Sequence, residues 1–108
     1  MVIYGLKTCD SCRKAKSALL GMGKEVQLHD LRDDPLSRDE LARFLAALGP
    51  DLVNRRSTTW RGLDEAARAG DPLDLLEAHP TLMKRPVIEA GGQLYLGWNT
   101  RTEAALNG

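Results

Sequence analysis

An α/β domain is predicted by three features of this 108-residue sequence. Strand-like runs alternate with helical stripes through the first half. The middle is helical, and two more strand-like runs flank Gly91-Gly92 near the end. The order reads β-α-β-α-(α-α)-β-β-α, and the length suits a single domain, 1–108.

Val2-Ile3-Tyr4 is a β-branched and aromatic run closed by Gly5, which reads as a buried strand. From Asp10 the period becomes helical: Ala15, Ala18, Leu19 and Met22 share one face, and Gly21 and Gly23 end the helix. Val26 and Leu28 alternate with Glu25, Gln27 and His29, the pattern of a half-buried strand. Ser37-Arg38-Asp39-Glu40 is a capping box ahead of the stripe Leu41, Phe44, Leu45 and Leu48, and Gly49-Pro50 stops that helix. Residues 52–61 are irregular and polar. A shorter helix is expected over Gly62–Arg68, and Asp71-Pro72 starts another that ends near His79-Pro80. Gly91-Gly92 between Pro86–Ala90 and Gln93–Leu96 predicts a tight antiparallel hairpin. Thr100-Arg101-Thr102-Glu103 repeats the capping-box pattern before Ala104, Ala105 and Leu106.

Composition narrows the function. The 15 Lys+Arg equal the 15 Asp+Glu, so no bulk field holds the chain on nucleic acid or an anionic membrane. With 43% hydrophobic and 28% charged residues, it is neither a disordered nor a membrane sequence. Its apolar runs, such as Leu45-Ala46-Ala47-Leu48, fall far short of a span. The start, Met1-Val2-Ile3-Tyr4-Gly5, lacks a basic stretch followed by an apolar one, so no signal peptide and a cytoplasmic location are expected. Nothing in the pattern calls for more than a monomer.

The first chemical constellation is Cys9 and Cys12, the only cysteines. They lie between the first strand and the first helix, in a C-x-x-C spacing that in a reducing compartment reads as redox or metal chemistry. A cysteine at a helix entrance meets unpaired N–H groups and the positive end of the dipole, which favour thiolate over thiol. Arg13, four residues after Cys9, adds positive charge on the same side, and Lys7 does so from the loop. Cys12 faces the same way and is placed to resolve an adduct on Cys9. The alternative is a pair of small buried hydrophobes. No metal site is expected, because only His29 and His79 are left to complete four ligands.

The second constellation is Asn54-Arg55-Arg56-Ser57-Thr58-Thr59-Trp60-Arg61. Guanidinium forks with hydroxyls and an aromatic suit an oxyanion or carboxylate, and a solvated charged loop is the alternative. The third is Lys84-Arg85-Pro86. Pro86 is either a strand-starting residue or the second half of a cis bond that presents a loop opposite the cysteines.

Taken in this order, Tyr4-Gly5, Cys9-Asp10, His29-Asp30-Leu31-Arg32, Asn54-Arg55-Arg56, Thr58-Thr59-Trp60-Arg61 and Lys84-Arg85-Pro86-Val87 resemble the ArsC family. That group includes arsenate reductases, Spx regulators and YffB-like proteins, and the chain looks most like the last. The resemblance covers essentially the whole sequence. It implies a thioredoxin-like (glutaredoxin-like) fold: a mixed sheet with the hairpin beside the first strand, and an inserted helical segment. It implies Cys9 as nucleophile, Arg85 and either Arg55 or Arg56 as binders of the oxyanion or thiol substrate, and Pro86 as the cis-proline.

The expected activity is therefore a glutathione- or thiol-dependent oxidoreductase. Glutathione or another small thiol would be the co-substrate, glutaredoxin a possible partner, and no cofactor would be bound. The alternatives are a redox-switched regulator docking on RNA polymerase, like Spx, and an arsenate reductase. The chain departs from arsenate reductases at Leu96-Gly97-Trp98, where they carry a further arginine, and at Gly5-Leu6-Lys7, where they carry a histidine. YffB-like proteins commonly lack the second cysteine, which here is Cys12.

Overall fold

A computed structural model of the chain describes residues 1–107, which form two compact units. One joins Met1–Asp34 to the stretch from Arg85 onward, and the other is Pro35–Lys84.

The first unit is built on a four-stranded sheet in the order β2-β1-β3-β4, with β1 at Val2–Gly5, β2 at Gln27–Asp30, β3 at Val87–Ala90 and β4 at Gln93–Leu96. β1 runs parallel to β2, with Ile3 opposite Leu28, and antiparallel to β3, with Ile3 opposite Ile88. The sheet is therefore mixed, and the hairpin lies beside the first strand, as the resemblance implied. Gly91 and Gly92 take φ of 58° and 79°, the left-handed pair a two-residue hairpin turn demands.

Helix α1, Asp10–Gly21, buries Cys12, Ala15 and Leu19. Ala15 and Leu19 join Ile3, Ile88 and Leu106 in one apolar cluster, with Leu28, Tyr95 and Trp98 packed around it. Burying an aliphatic side chain of this size contributes about 1.5–3 kcal/mol, so Ile3, Leu19 and Ile88 carry much of what fixes α1 over the sheet.

Two boundaries differ from the sequence reading. β2 spans Gln27–Asp30, whereas the alternation pointed to a strand from Glu25 to His29. The last helix, Thr100–Asn107, is capped by Asn99 and not by Thr100: the Asn99 side chain accepts from the Thr102 N–H at 2.9 Å. An asparagine just ahead of a capping-box pattern competes for the same role, and here it wins.

The second unit, taken alone, is helical. α2 is Arg38–Leu48, capped by the Ser37 hydroxyl on the Glu40 N–H as the capping box predicts. The stretch 52–68, expected as irregular chain followed by one helix, instead holds two single turns, α3 at Thr58–Arg61 and α4 at Glu65–Arg68. Ser57 caps α3 and Asp64 caps α4, and with Gly62 between them the two turns remain separate. α5, Pro72–Ala78, starts under the Asp71 cap where Asp71-Pro72 placed it. Arg38 of α2 reaches Asp74 at 2.8 Å and Glu77 at 3.2 Å on α5. No described helix is long and apolar enough to cross a membrane.

Candidate functional site

β1 ends at Gly5 and the chain turns through Leu6-Lys7-Thr8 into α1, with Cys9 at the N-cap position. The Cys9 backbone is extended (φ −82°, ψ 123°), and no side chain caps the first turn of the helix. Cys9 is half-buried, so part of the residue is open to solvent. Cys12, one turn on, is fully buried.

The two cysteines differ chemically because their surroundings differ. Burial is the main reason the Cys12 thiol is pushed up to about 12. The Leu6 N–H donates toward its sulfur and acts in the opposite direction. The hydrogen bond with Cys9 and the nearness of that second sulfur raise it further, while the Arg85 charge lowers it. The two sulfurs thus lie close enough to influence one another, and Arg85 close enough to be felt by the buried one.

Gly5 is what permits this arrangement. A Cβ built there would overlap the Cys12 Sγ and sit 4.0 Å from the Arg85 Cβ, so strand end, helix and Arg85 meet where only a glycine fits. Arg85 is half-buried. The Arg85–Pro86 bond is cis, Pro86 is fully buried, and its carbonyl accepts the Gly97 N–H at 2.7 Å. Cys9, Cys12, Arg85 and Pro86 all belong to the first unit.

The two cations expected to assist Cys9 are already engaged. Arg13 pairs with Asp10 at 2.5 Å, an i,i+3 contact on α1 that holds the Asp10 carboxyl below the usual carboxylate range. Lys7 pairs with Asp33 at 2.6 Å, which raises its ammonium above the ordinary value. Both pairs are exposed, so each contributes little to stability.

Sequence reasoning missed Asp30 as a support for this loop. Its carboxylate accepts from the Lys7 N–H at 2.9 Å and from the Arg32 N–H at 2.8 Å, and these backbone donors hold its carboxyl below the usual range. Asp30 thereby ties the segment leading to Cys9 onto the end of β2. The available signal was an aspartate closing a strand, a residue that commonly caps its own following turn. The motif histidine before it, His29, stacks at a tilt against Tyr4, with ring centroids 5.2 Å apart, and the Tyr4 hydroxyl donates to Glu89 at 3.0 Å.

Within the second unit, Arg55 and Arg56 both line a cavity of about 550 Å³ with Asp51, Val53, Asn54 and Lys84. The Asn54 side chain accepts from the Arg56 N–H at 3.0 Å and fixes that turn. The Arg55 guanidinium lies over the Trp60 ring, 5.6 Å from its centroid, and Arg68 stands at the same distance from that ring while donating to the Trp60 carbonyl. Stacking holds a guanidinium by its face and leaves its N–H edge for an anion.

Comparison with known proteins agrees with this architecture. A YffB protein of known structure superposes with a TM-score of 0.91 at 35% identity, over 99% of this chain and 98% of its own. An uncharacterized protein of Haemophilus influenzae is 40% identical over 106 residues, 94% of this chain and 93% of its own. A global transcriptional regulator Spx of Streptococcus pyogenes is 34% identical over 98 residues, 85% of this chain and 73% of its own. The ArsC family pattern matches residues 4–105. The mixed sheet, the helix-entrance cysteine and the buried proline after Arg85 accordingly sit in a thioredoxin-like chain that belongs to the ArsC family.

Proposed function

We propose that the protein is a thiol–disulfide oxidoreductase in which Cys9 is the nucleophile. The observation that carries this reading is the contrast between its two sulfurs: Cys9 is accessible at a helix entrance, whereas Cys12 is sealed and held as a thiol. Deprotonated Cys9 attacks a mixed disulfide between the substrate and glutathione or a related small thiol. A Cys9–glutathione disulfide forms, and the substrate sulfur leaves as a thiolate that takes a proton from water. A second glutathione thiolate then attacks the glutathione sulfur of the adduct, giving glutathione disulfide and free Cys9.

Cys12 is the other candidate resolver, but burial holds its thiol well above the ordinary value, so little of it is thiolate at neutral pH. The external thiol is the better-supported choice. Arg85, beside the sulfurs, is proposed to hold a substrate carboxylate, and Arg55 and Arg56 to bind a carboxylate or oxyanion in their own cavity. The reading places a monomeric chain in the reducing cytoplasm, where free thiols persist.

The test is a glutathione-coupled assay on a small mixed disulfide. Cys9→Ser abolishes turnover, and Cys12→Ser leaves a glutathione-dependent remainder. Activity of Cys9→Ser equal to that of the parent refutes the proposal.

One observation favours a second reading. The two free sulfurs lie near one another, and their joining by an oxidant would suit a redox-switched regulator similar to the Spx relative. Retention on immobilised RNA polymerase, compared with and without oxidant, tests it, and no capture in either state removes it.

A further inference from the structure

We propose that the groove between α1 and the outer edge of β2 is a docking site for an extended acidic peptide segment of a partner protein. The groove adjoins the Cys9 loop through Lys7 and Arg13 and extends away from it along α1 to Leu20. Arg13, Lys16, Ser17 and Leu20 of α1, with Lys7 and Leu28, line a groove of about 420 Å³. Helical spacing of three and four residues sets the α1 members on one stripe, next to the buried stripe Cys12, Ala15 and Leu19. Among the described residues, Leu20 is the large apolar side chain that stands exposed, at 51%. The floor is thus leucine and the rim is cationic.

Two observations point to a peptide. The first is charge. Lys7, Arg13 and Lys16 ring the apolar floor, and the Lys7–Asp33 and Arg13–Asp10 pairs are exposed and easily exchanged for incoming carboxylates. Lys16 has no ion-pair partner among the described residues. The second is the strand edge. β2 ends the sheet order, so only β1 pairs with it. The Gln27 N–H donates to Met1 and the Leu31 N–H to Gly5, so alternate residues from Gln27 onward face β1. Leu28, on the other alternation, directs its own N–H and C=O to the open edge.

The same residue therefore offers a free backbone donor and acceptor together with a side chain in the groove. A peptide group satisfies both, whereas a fatty carboxylate leaves the donor unpaired. The Asp30 carbonyl already accepts the Asp34 N–H at 2.9 Å, so the added pairing is confined to the rung at Leu28. Nucleic acid fits poorly, since the floor is apolar and the chain has no net charge.

The experiment is fluorescence anisotropy of a short fluorescein-labelled peptide alternating glutamate with leucine, added to the Cys9→Ser protein so that no disulfide exchange intrudes. Saturable binding that weakens with salt is expected. Lys16→Glu and Leu20→Ser should each raise Kd at least about tenfold, with folding checked by circular dichroism. Methylating a backbone nitrogen of the peptide should weaken binding as well. The proposal is overturned by an absence of saturation, by equal binding of the lysine-for-glutamate peptide, or by unaltered binding to both variants. Binding of decanoate without the peptide likewise overturns it, in favour of a small amphiphile.

Discussion

Gly5 and Cys12 touch: the backbone at the end of β1 approaches the buried sulfur so closely that a methyl group on Gly5 would overlap the Sγ. Cys12 is fully enclosed, so the sulfur cannot swing away without disturbing the packing of α1. Gly5→Ala should destabilise the protein by about 1–3 kcal/mol in urea unfolding, the range for overpacking. Gly5→Ala combined with Cys12→Ala should lose less than the sum of the two single changes, because the second removes the atom the first collides with. Strict additivity would show that the two residues do not compete for space.

Alkaline pH should weaken the fold through Cys12. Its thiol titrates near 12 in the native state, above the ordinary value of 9.0. Between those values the unfolded chain has lost a proton that the native chain keeps, so stability is full below the lower value and declines as pH rises toward the upper. The slope approaches about 1.4 kcal/mol per pH unit. Denaturant melts at several alkaline pH values, with a phosphine reductant present, should show the decline in wild type. In Cys12→Ala the profile should be flatter.

The Cys9 segment should depend on Asp30 as a positioning residue. Asp30→Ala frees the Lys7 N–H and loosens the approach to the nucleophile, so the alkylation rate of Cys9 by iodoacetamide should change and turnover should fall, by up to about tenfold. Asp30→Asn, which keeps an acceptor, should recover part of the loss. The Asp30 carboxyl is held low, so its contribution is present above the ordinary carboxylate value and fades as acid reaches the lowered one. Denaturant melts of the wild type at several acid pH values should show that fading, and the alanine variant should give a flatter profile.

Substrate anion binding should separate the arginines. Arg85→Ala and Arg56→Ala should each lower kcat/KM by roughly 10- to 100-fold if each removes one charge-assisted contact of about 1.5–3 kcal/mol. Trp60→Ala should act through Arg55, mainly raising KM, because the ring holds that guanidinium by its face. An unchanged KM in Trp60→Ala would show that Arg55 needs no such support.

Much of this was readable in the chain because the governing signals are local. The capping serine of α2, Asp71-Pro72 before α5 and the paired glycines of the hairpin act within a few residues, and the structure follows them. The strand, C-x-x-C and helix order located Cys9 and Cys12 for the same reason. What stayed hidden depends on which residues meet across long separations. Nothing near Gly5 says that its missing side chain makes room for a sulfur seven positions later. Asp30 reaches the Lys7 N–H only once β1 and β2 lie side by side. Arg13 and Lys7 were legible as cations near Cys9, but Asp10, three residues before Arg13, and Asp33, brought in from beyond β2, meet them in the folded chain. The helical turn α3 was overlooked because a four-residue element has no amphipathic period to reveal it; only its cap, Ser57, could have.

The placement of the two indoles gives each half of the molecule its own optical reporter. Trp98 packs against the cluster over the sheet, whereas Trp60 lies among Arg55 and Arg68 in the helical insert. Replacing either with phenylalanine leaves a single emitter seated in one of the two units. In the variant that keeps Trp60, quenching or a spectral shift on titration with a carboxylate would read occupancy of the Arg55–Arg56 cavity directly. In the variant that keeps Trp98, the same titration reads the first unit, where Trp98 follows the Gly97 bonded to the Pro86 carbonyl.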